Sequence, residues 1–362
     1  MTETLEASRS STPTRRALID ADVHVEVSKA DVLFPYLPDH WIEHIRQSRF
    51  KAPTDNDSPY PPRSPVAARP GSKPEKGPAG SDVGLLRQQA LDEPGVERAI
   101  LNCSYAIDSL HHPDAAAALA SAVNDWLIAE WLSKDDRLRA SMIVPSQIPE
   151  LAAREVERVG DHPGFVQVYL PVRAQHPWGT RIYRPMWEAI NRHGLVAGIH
   201  FGGAPGNPPS PSGWPSYYFE EYAGMAQVFA SQLTSLITEG VFDAWPTQRV
   251  TLIEAGWTWL PAHMWRFDKE WRNLRMLVPW VKRAPSAYIR EHVRFTIQPL
   301  DAPPSHQQLM EVIEQLGSDE LLLYASDYPH LQHADSIAFL GGLPPDLARK
   351  IASENARDWY RL

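Results

Sequence analysis

The chain has 362 residues and a single cysteine, Cys103. One thiol excludes an intrachain disulfide framework and any cysteine-rich zinc site, and it fits a reducing cytoplasm. Long apolar runs are also missing, since no stretch approaches the ~20 residues of a membrane-spanning helix. Basic residues are outnumbered: the formal net charge is −9 and the isoelectric point is near 5.9. That balance argues against nucleic acid or an anionic membrane as a partner. Three nucleotide or nucleophile signatures are absent, namely a G-x-S-x-G elbow, a P-loop, and G-x-G-x-x-G after a strand. Residues 1–16 are polar with no apolar centre, so they do not read as a secretory signal. We expect a flexible tail there, and a cytoplasmic protein.

What is present points to one large core. Hydrophobic residues make up 43% of the chain and 13 are tryptophan, enough for an elaborated α/β barrel at this length. After a first strand around 20–26, residues 31–49 read as a turn and a short helix. Residues 51–80 are proline-rich, which forbids helix interior and central strand, so they read as an insertion or lid. From there strands and helices alternate. Strand candidates fall at 96–103, 137–145, 165–170, 195–201, 249–255, 293–297 and 321–326. Helices are expected at 114–133, 149–160, 182–193, 216–239, from the tryptophan-rich segment to 277, and at 305–316, with further helices closing the chain. The strands are short and rich in Val, Ile and Leu, as expected of parallel strands buried on both faces. Eight such units at this length predict a (β/α)8 TIM-like barrel over 17–362, with an open doubly wound sheet as the alternative.

The first strand carries the chemistry. In Asp20-Ala21-Asp22-Val23-His24-Val25-Glu26, strict alternation puts Asp20, Asp22, His24 and Glu26 on one face. Carboxylates crowded there repel one another, and a divalent cation turns that cost into attraction. In a barrel of this kind the active site lies at the C-terminal ends of the strands. Polar residues at those ends are therefore the ones to collect: His200 after strand five, Glu254 after strand six and Asp327 after strand eight. Together with Asp22 and His24 they describe a site for a borderline or hard divalent metal. Trp214, Tyr218, Trp257 and His330 are the candidate substrate contacts around the mouth, though each aromatic also suits packing.

The order DxDxH at strand one, IHFGG at strand five, LPxxMWRFD after strand six, YASDYPH and a terminal ENARDWY resembles the amidohydrolase-2 (amidohydrolase-related) family. That group includes aminocarboxymuconate-semialdehyde decarboxylase and the resorcylate-type decarboxylases. The resemblance implies that Asp22, His24, His200 and Asp327 are metal ligands and that the protein is a homodimer. It also marks a departure: decarboxylases of the family carry a catalytic histidine in a G-H-x-G context after strand six, where this chain has Glu254.

The expected function is a metal-dependent hydrolase in which one divalent ion activates water against a carbonyl-containing small molecule. Zinc comes first, with manganese, iron and magnesium also suited to nitrogen and oxygen ligands. Asp327 or Glu254 would take the water's proton. The alternative is a nonoxidative decarboxylase of an aromatic or cyclic acid, and a further one is a catalytically inactive barrel used for binding.

Overall fold

The computed structural model describes residues 17–53, 68–203, 206–210, 212–332 and 335–362. The expected tail and 54–67 of the insertion lie outside the described residues. Eight parallel strands follow one another in sheet order: β1 Leu18–His24, β2 Val96–Asn102, β3 Leu138–Met142, β4 Phe165–Pro171, β5 Val196–His200, β6 Arg249–Ile253, β7 Val293–Thr296 and β8 Leu322–Leu323. The ring closes through backbone bonds between the first and last strands. Ala21 N–H donates to Tyr324 O at 3.0 Å, Asp327 N–H to Asp22 O at 3.1 Å and His24 N–H to Tyr328 O at 2.6 Å. This is the expected barrel.

Helices on the outside include α1 Asp39–Ser48, α2 Pro113–Leu127, α3 Pro149–Val159, α4 Arg184–Arg192, α5 Tyr218–Thr238, α6 Leu260–Leu274, α7 Pro285–His292 and α8 His306–Leu316. Short helices α9 Ser336–Gly341, α10 Pro345–Arg349 and α11 Asn355–Tyr360 close the chain. Proline stands at the first turn of α2, α3, α4, α6, α7 and α10. Its missing N–H costs nothing at that position, which explains why so many prolines coexist with so much helix. Among the described residues no helix is long and apolar enough to cross a membrane.

Two apolar cores form. The larger lies between the strands and the helices. The smaller fills the barrel interior, where Ile19, Ala21, Ile100, Val196 and Leu323 meet Ala356, Trp359 and Tyr360 of α11. The C-terminal helix therefore plugs the end of the barrel opposite the mouth.

Strand one departs from strict alternation. Leu18 and Val23 both belong to the outer core although they have opposite parity, while Ile19 and Ala21 face inward. The β1–β2 register shifts between Asp20 and Val23, the mark of a bulge, which re-aims side chains next to active sites. Asp20 is therefore not on the face of Asp22 and His24. Its Oδ1 accepts the backbone N–H groups of Asp22 at 3.1 Å and Ser326 at 3.0 Å, tying β1 to the loop after β8. Burial pushes the Asp20 carboxyl up to about 7.

The last strand is shorter than 321–326. Tyr324 N–H is claimed by Ile351 O at 2.9 Å and Asp327 N–H by Asp22 O, so the chain leaves the ladder with β7 early. Of the insertion, the part from Ala68 onward packs on the mouth. Arg69 N–H donates to Pro329 O at 2.8 Å, and its guanidinium donates to Ser326 O at 2.7 Å and His330 O at 3.1 Å.

Candidate metal centre

Three strand ends and one loop bring five side chains together at the mouth. Asp22 and His24 come from β1, His200 ends β5, Glu254 follows β6 and Asp327 follows β8. All five are buried. Around His24 Nε2, Asp327 Oδ1 lies at 3.0 Å, Glu254 Oε1 at 3.1 Å and Asp22 Oδ1 at 3.6 Å. His200 Nε2 stands 3.4 Å from Glu254 Oε1 and 3.5 Å from Asp22 Oδ1.

The backbone is strained where it aims two of these carboxylates. Glu254 and Asp327 have φ of 58° and 55°, in the left-handed region that costs a side-chain-bearing residue about 1–3 kcal/mol. Thr296 Oγ1 accepts from Glu254 N–H at 3.0 Å and holds the turn after β6. Gly203, after β5, has φ of 109°, and a Cβ there would lie 2.3 Å from Arg173 O. Only glycine lets that loop turn so tightly beside the site.

The electrostatics follow from burial against mutual charge. Burial disfavours charged His24, yet Asp22, Asp327 and Glu254 outweigh it and raise the imidazole well above its ordinary value. His200 is also raised, with burial opposed by Glu254 and Asp22. Burial, then the nearby Asp327 charge, raise Glu254. Asp327 goes the other way: bonds from His24 and His330 overcome burial and hold its carboxyl well below the usual range.

These residues fit a divalent cation on three observations. Donor separations of 3.0–3.6 Å are those of atoms sharing one ion at about 2.0–2.2 Å. Asp22 Oδ2 and His200 Nε2 are buried without a hydrogen-bonding partner, an arrangement that costs about 1–3 kcal/mol per atom unless something binds there. His200 Nδ1 is 2.9 Å from Phe201 O, so it carries the proton and Nε2 keeps its lone pair for a metal.

Compared with the expected ligand set, the arrangement is both richer and divided. Asp22, His24, His200 and Glu254 form one group of donors within mutual reach, and His24, Glu254, Asp327 and His330 form a second. Asp327 leans toward His330, whose Nδ1 is 2.8 Å from Oδ1, while Gln332 Nε2 donates to Oδ2. Glu254 belongs to both groups, although the family resemblance left it out of the ligand set.

The substrate candidates fare unevenly. A cavity of about 250 Å³ beside Glu254 is lined by Phe201, Tyr222, Met225, Ala226, Pro299 and Leu300, among others. Trp257 is not among them; it is fully buried against Phe339. Trp214 is half exposed, 6.0 Å from the Arg173 guanidinium. Tyr218 packs on Tyr222 with ring centres 5.6 Å apart. His330 lies against His24, ring centres 4.4 Å apart. His263 sits in an outer apolar groove with Phe267 and Trp271, and so does not replace the missing strand-six histidine.

Sequence reading missed two partners. Asn102 Nδ2 donates to Asp22 Oδ1 at 2.8 Å, and Tyr222 lines the cavity. Asn102 ends β2, so the rule that collected the other polar strand ends would have found it. Tyr222 lies within the helix expected at 216–239, and nothing local in the sequence marks it as a cavity wall.

The model of the family described as Amidohydrolase matches residues 19–362. The chain belongs to the amidohydrolase family. Among curated relatives, γ-resorcylate decarboxylase of Rhizobium radiobacter is 28% identical over 298 residues, covering 78% of this chain and 88% of the relative. The γ-resorcylate decarboxylase of Polaromonas sp. (strain JS666) is 26% identical over 309 residues with the same coverage. Among solved structures, 5-carboxyvanillate decarboxylase from Sphingomonas paucimobilis superposes with a TM-score of 0.70 at 22% identity, covering 96% of this chain and 99% of that one. Dihydroxybenzoic acid decarboxylase from Polaromonas sp. JS666, with bound manganese and 2-nitroresorcinol, gives 0.65 at 23% identity, covering 96% and 97%. At these identities the structures speak for the fold. Relatives named decarboxylase favour the alternative reaction over the hydrolysis that was expected first; manganese is bound in one of the similar structures.

Proposed function

We propose that this amidohydrolase-family protein is a metal-dependent nonoxidative decarboxylase of a small aromatic acid. The observation that carries the reading is the position of Glu254, which belongs to the donor cluster and also lines the adjoining cavity. At about 250 Å³ the cavity falls below the ~300–1,000 Å³ of drug-sized pockets, so it suits a single small ring. Its walls are largely aromatic and aliphatic, with the carboxyl groups of Glu254 and Asp301 among them. The curated relatives, named for γ-resorcylate, support a benzoate bearing a hydroxyl beside its carboxylate.

Asp22, His24 and His200 would hold the ion, manganese first, and Asp327 would join them from beside His24 Nε2. When bound, it supplies a positive charge for the substrate's carboxylate and neighbouring oxygen. Phe201, Tyr222 and Leu300 position the ring and exclude water. Glu254, its carboxyl raised by burial and by the Asp327 charge, would carry the proton that the ring receives. As the bond between ring and carboxylate breaks, carbon dioxide leaves and the electron pair stays on the ring carbon. The Glu254 proton then forms the new C–H bond, and solvent returns a proton to Glu254. General acid catalysis of this kind contributes about 10²–10⁴-fold. Glu254 thus does the work that the family's histidine does elsewhere.

The test is carbon dioxide release from a panel of ortho-hydroxybenzoates by manganese-reconstituted protein. Release that is lost in His200→Ala supports the reading. No release from any member, together with hydrolysis of amides or esters, would replace it with the hydrolase.

A further inference from the structure

A line of polar side chains threads the barrel interior from the plug helix to the metal centre. Trp359 Nε1 donates to Thr251 Oγ1 at 2.9 Å, and Thr251 Oγ1 lies 3.0 Å from Tyr360 OH. Tyr360 OH donates to Gln167 Oε1 at 2.9 Å, and Gln167 Nε2 donates to Ser141 Oγ at 2.7 Å. Ser141 Oγ donates to Asn102 Oδ1 at 2.6 Å, and Asn102 Nδ2 to Asp22 Oδ1 at 2.8 Å. Every member is buried.

The two ends fix the direction of all the bonds between them. An indole N–H can only donate, and a carboxylate can only accept. Thr251 takes the indole proton and must give its own to Tyr360, which then gives to Gln167, and so on upward. Reversing either amide would set Asn102 oxygen against Asp22 oxygen. All six bonds therefore point the same way, toward Asp22, and their dipoles add in a medium with little water to screen them.

The interior is shaped to keep the middle link in place. A Cβ on Gly198 would lie 2.3 Å from the Gln167 amide carbon and 2.4 Å from its nitrogen. A side chain at that position of β5 would evict Gln167 and cut the thread. At the top, Asp22 Oδ1 accepts from Asn102 and at the same time faces His24 Nε2 and His200 Nε2, while Oδ2 has no protein partner.

We propose that this thread is a positioning device for the metal centre. It clamps Asp22 through Oδ1, the oxygen that faces His24 and His200, and makes metal affinity depend on how α11 docks at the far end of the barrel. Trp359, Tyr360, Thr251 and Gln167 touch neither the donor cluster nor the cavity, so they act through Asn102 and Asp22. This inference rests on the metal-centre reading.

The experiment compares the full chain with Tyr360→Phe, Thr251→Val and Asn102→Asp. Manganese affinity is measured by equilibrium dialysis of metal-stripped protein, and ligand geometry by the visible spectrum of the cobalt-loaded form. Thermal unfolding of the metal-free proteins reports any purely structural effect. Tyr360→Phe and Thr251→Val should weaken manganese binding about threefold to tenfold, less than the ~10–100-fold typical of losing a ligand's direct partner. Asn102→Asp, which faces Asp22 with a second carboxylate, should fall in or above that larger range and change the cobalt spectrum. If Tyr360→Phe and Thr251→Val bind manganese within about twofold of the parent and only melt earlier, the thread is packing and the proposal fails. Should Asn102→Asp not fold, those two variants decide alone. A parent chain that takes up no divalent metal would overturn the metal centre as well, an outcome distinct from equal affinities among variants.

Discussion

Glu254 Oε1 lies 3.1 Å from His24 Nε2, joining the turn after strand six to strand one across the barrel mouth. The contact sets a carboxyl where the family resemblance leads one to expect an imidazole, and it makes Glu254 the most informative position to change. Glu254→Gln keeps size and hydrogen bonding but cannot deliver a proton. We expect turnover to fall by about 10²–10⁴-fold while bound manganese stays at the parent's stoichiometry. Steady-state kinetics beside metal analysis of the same sample checks both halves.

His200→Ala and Asp327→Ala should each lose metal and activity together. His200 Nε2 makes no hydrogen bond and faces only the carboxylates of Asp22 and Glu254, so its loss removes a ligand without breaking another bond at that nitrogen. Asp327 also anchors His330 and Gln332, so Asp327→Ala should melt earlier than His200→Ala in the metal-free state. Metal content and calorimetry of the two variants decide it.

The cavity predicts a binding effect separable from the chemistry. Ala226 lines it without touching the donor cluster. Ala226→Trp should fill the space and raise KM by about tenfold or more, the scale of ~1.4 kcal/mol or above in binding. Manganese content should not change. An unaltered KM would place the substrate elsewhere at the mouth.

Acid stability depends on a site at the other end of the barrel. Asp135 accepts from Arg137 at 2.7 Å and Arg87 at 2.8 Å. The bond from Arg137, against burial and helped by both guanidinium charges, holds the Asp135 carboxyl at about 2, against 3.8 for an ordinary aspartate. A folded-state value below the unfolded one adds stability that is fully present above 3.8 and is lost as pH falls through about 2. Discounted for solvent screening, the contribution is about 1 kcal/mol. Urea unfolding should therefore find Asp135→Asn weaker by that amount at neutral pH and converging on the parent only below about pH 2.

The barrel and most of its strand ends were legible because buried parallel strands announce themselves as short Val, Ile and Leu runs, and because catalytic groups collect at their C-terminal ends. His200, Glu254 and Asp327 all came from that rule. Asp20 was misplaced because a bulge between Asp20 and Val23 breaks alternation, and no residue type in DADVHVE marks a bulge. The eighth strand was overdrawn because Ile351, from the closing helices, takes the backbone N–H of Tyr324, a tertiary event. Trp257 looked like a pocket wall from its distance to strand six along the chain, yet the chain turns its ring onto Phe339. The division of ligands between Asp22 and Asp327 arises from His330 and Gln332, whose reach depends on the folded loop after β8.

The central claim is that Glu254 gives its proton to a ring carbon as carbon dioxide leaves. Turnover of an ortho-hydroxybenzoate by the manganese-loaded protein in D2O tests it directly, with product read by proton NMR and gas by mass spectrometry. The account predicts one carbon dioxide per product and a single deuterium at the vacated ring position, with both lost in Glu254→Gln. Carbon dioxide and deuterium appearing at the parent's rate in Glu254→Gln would contradict it.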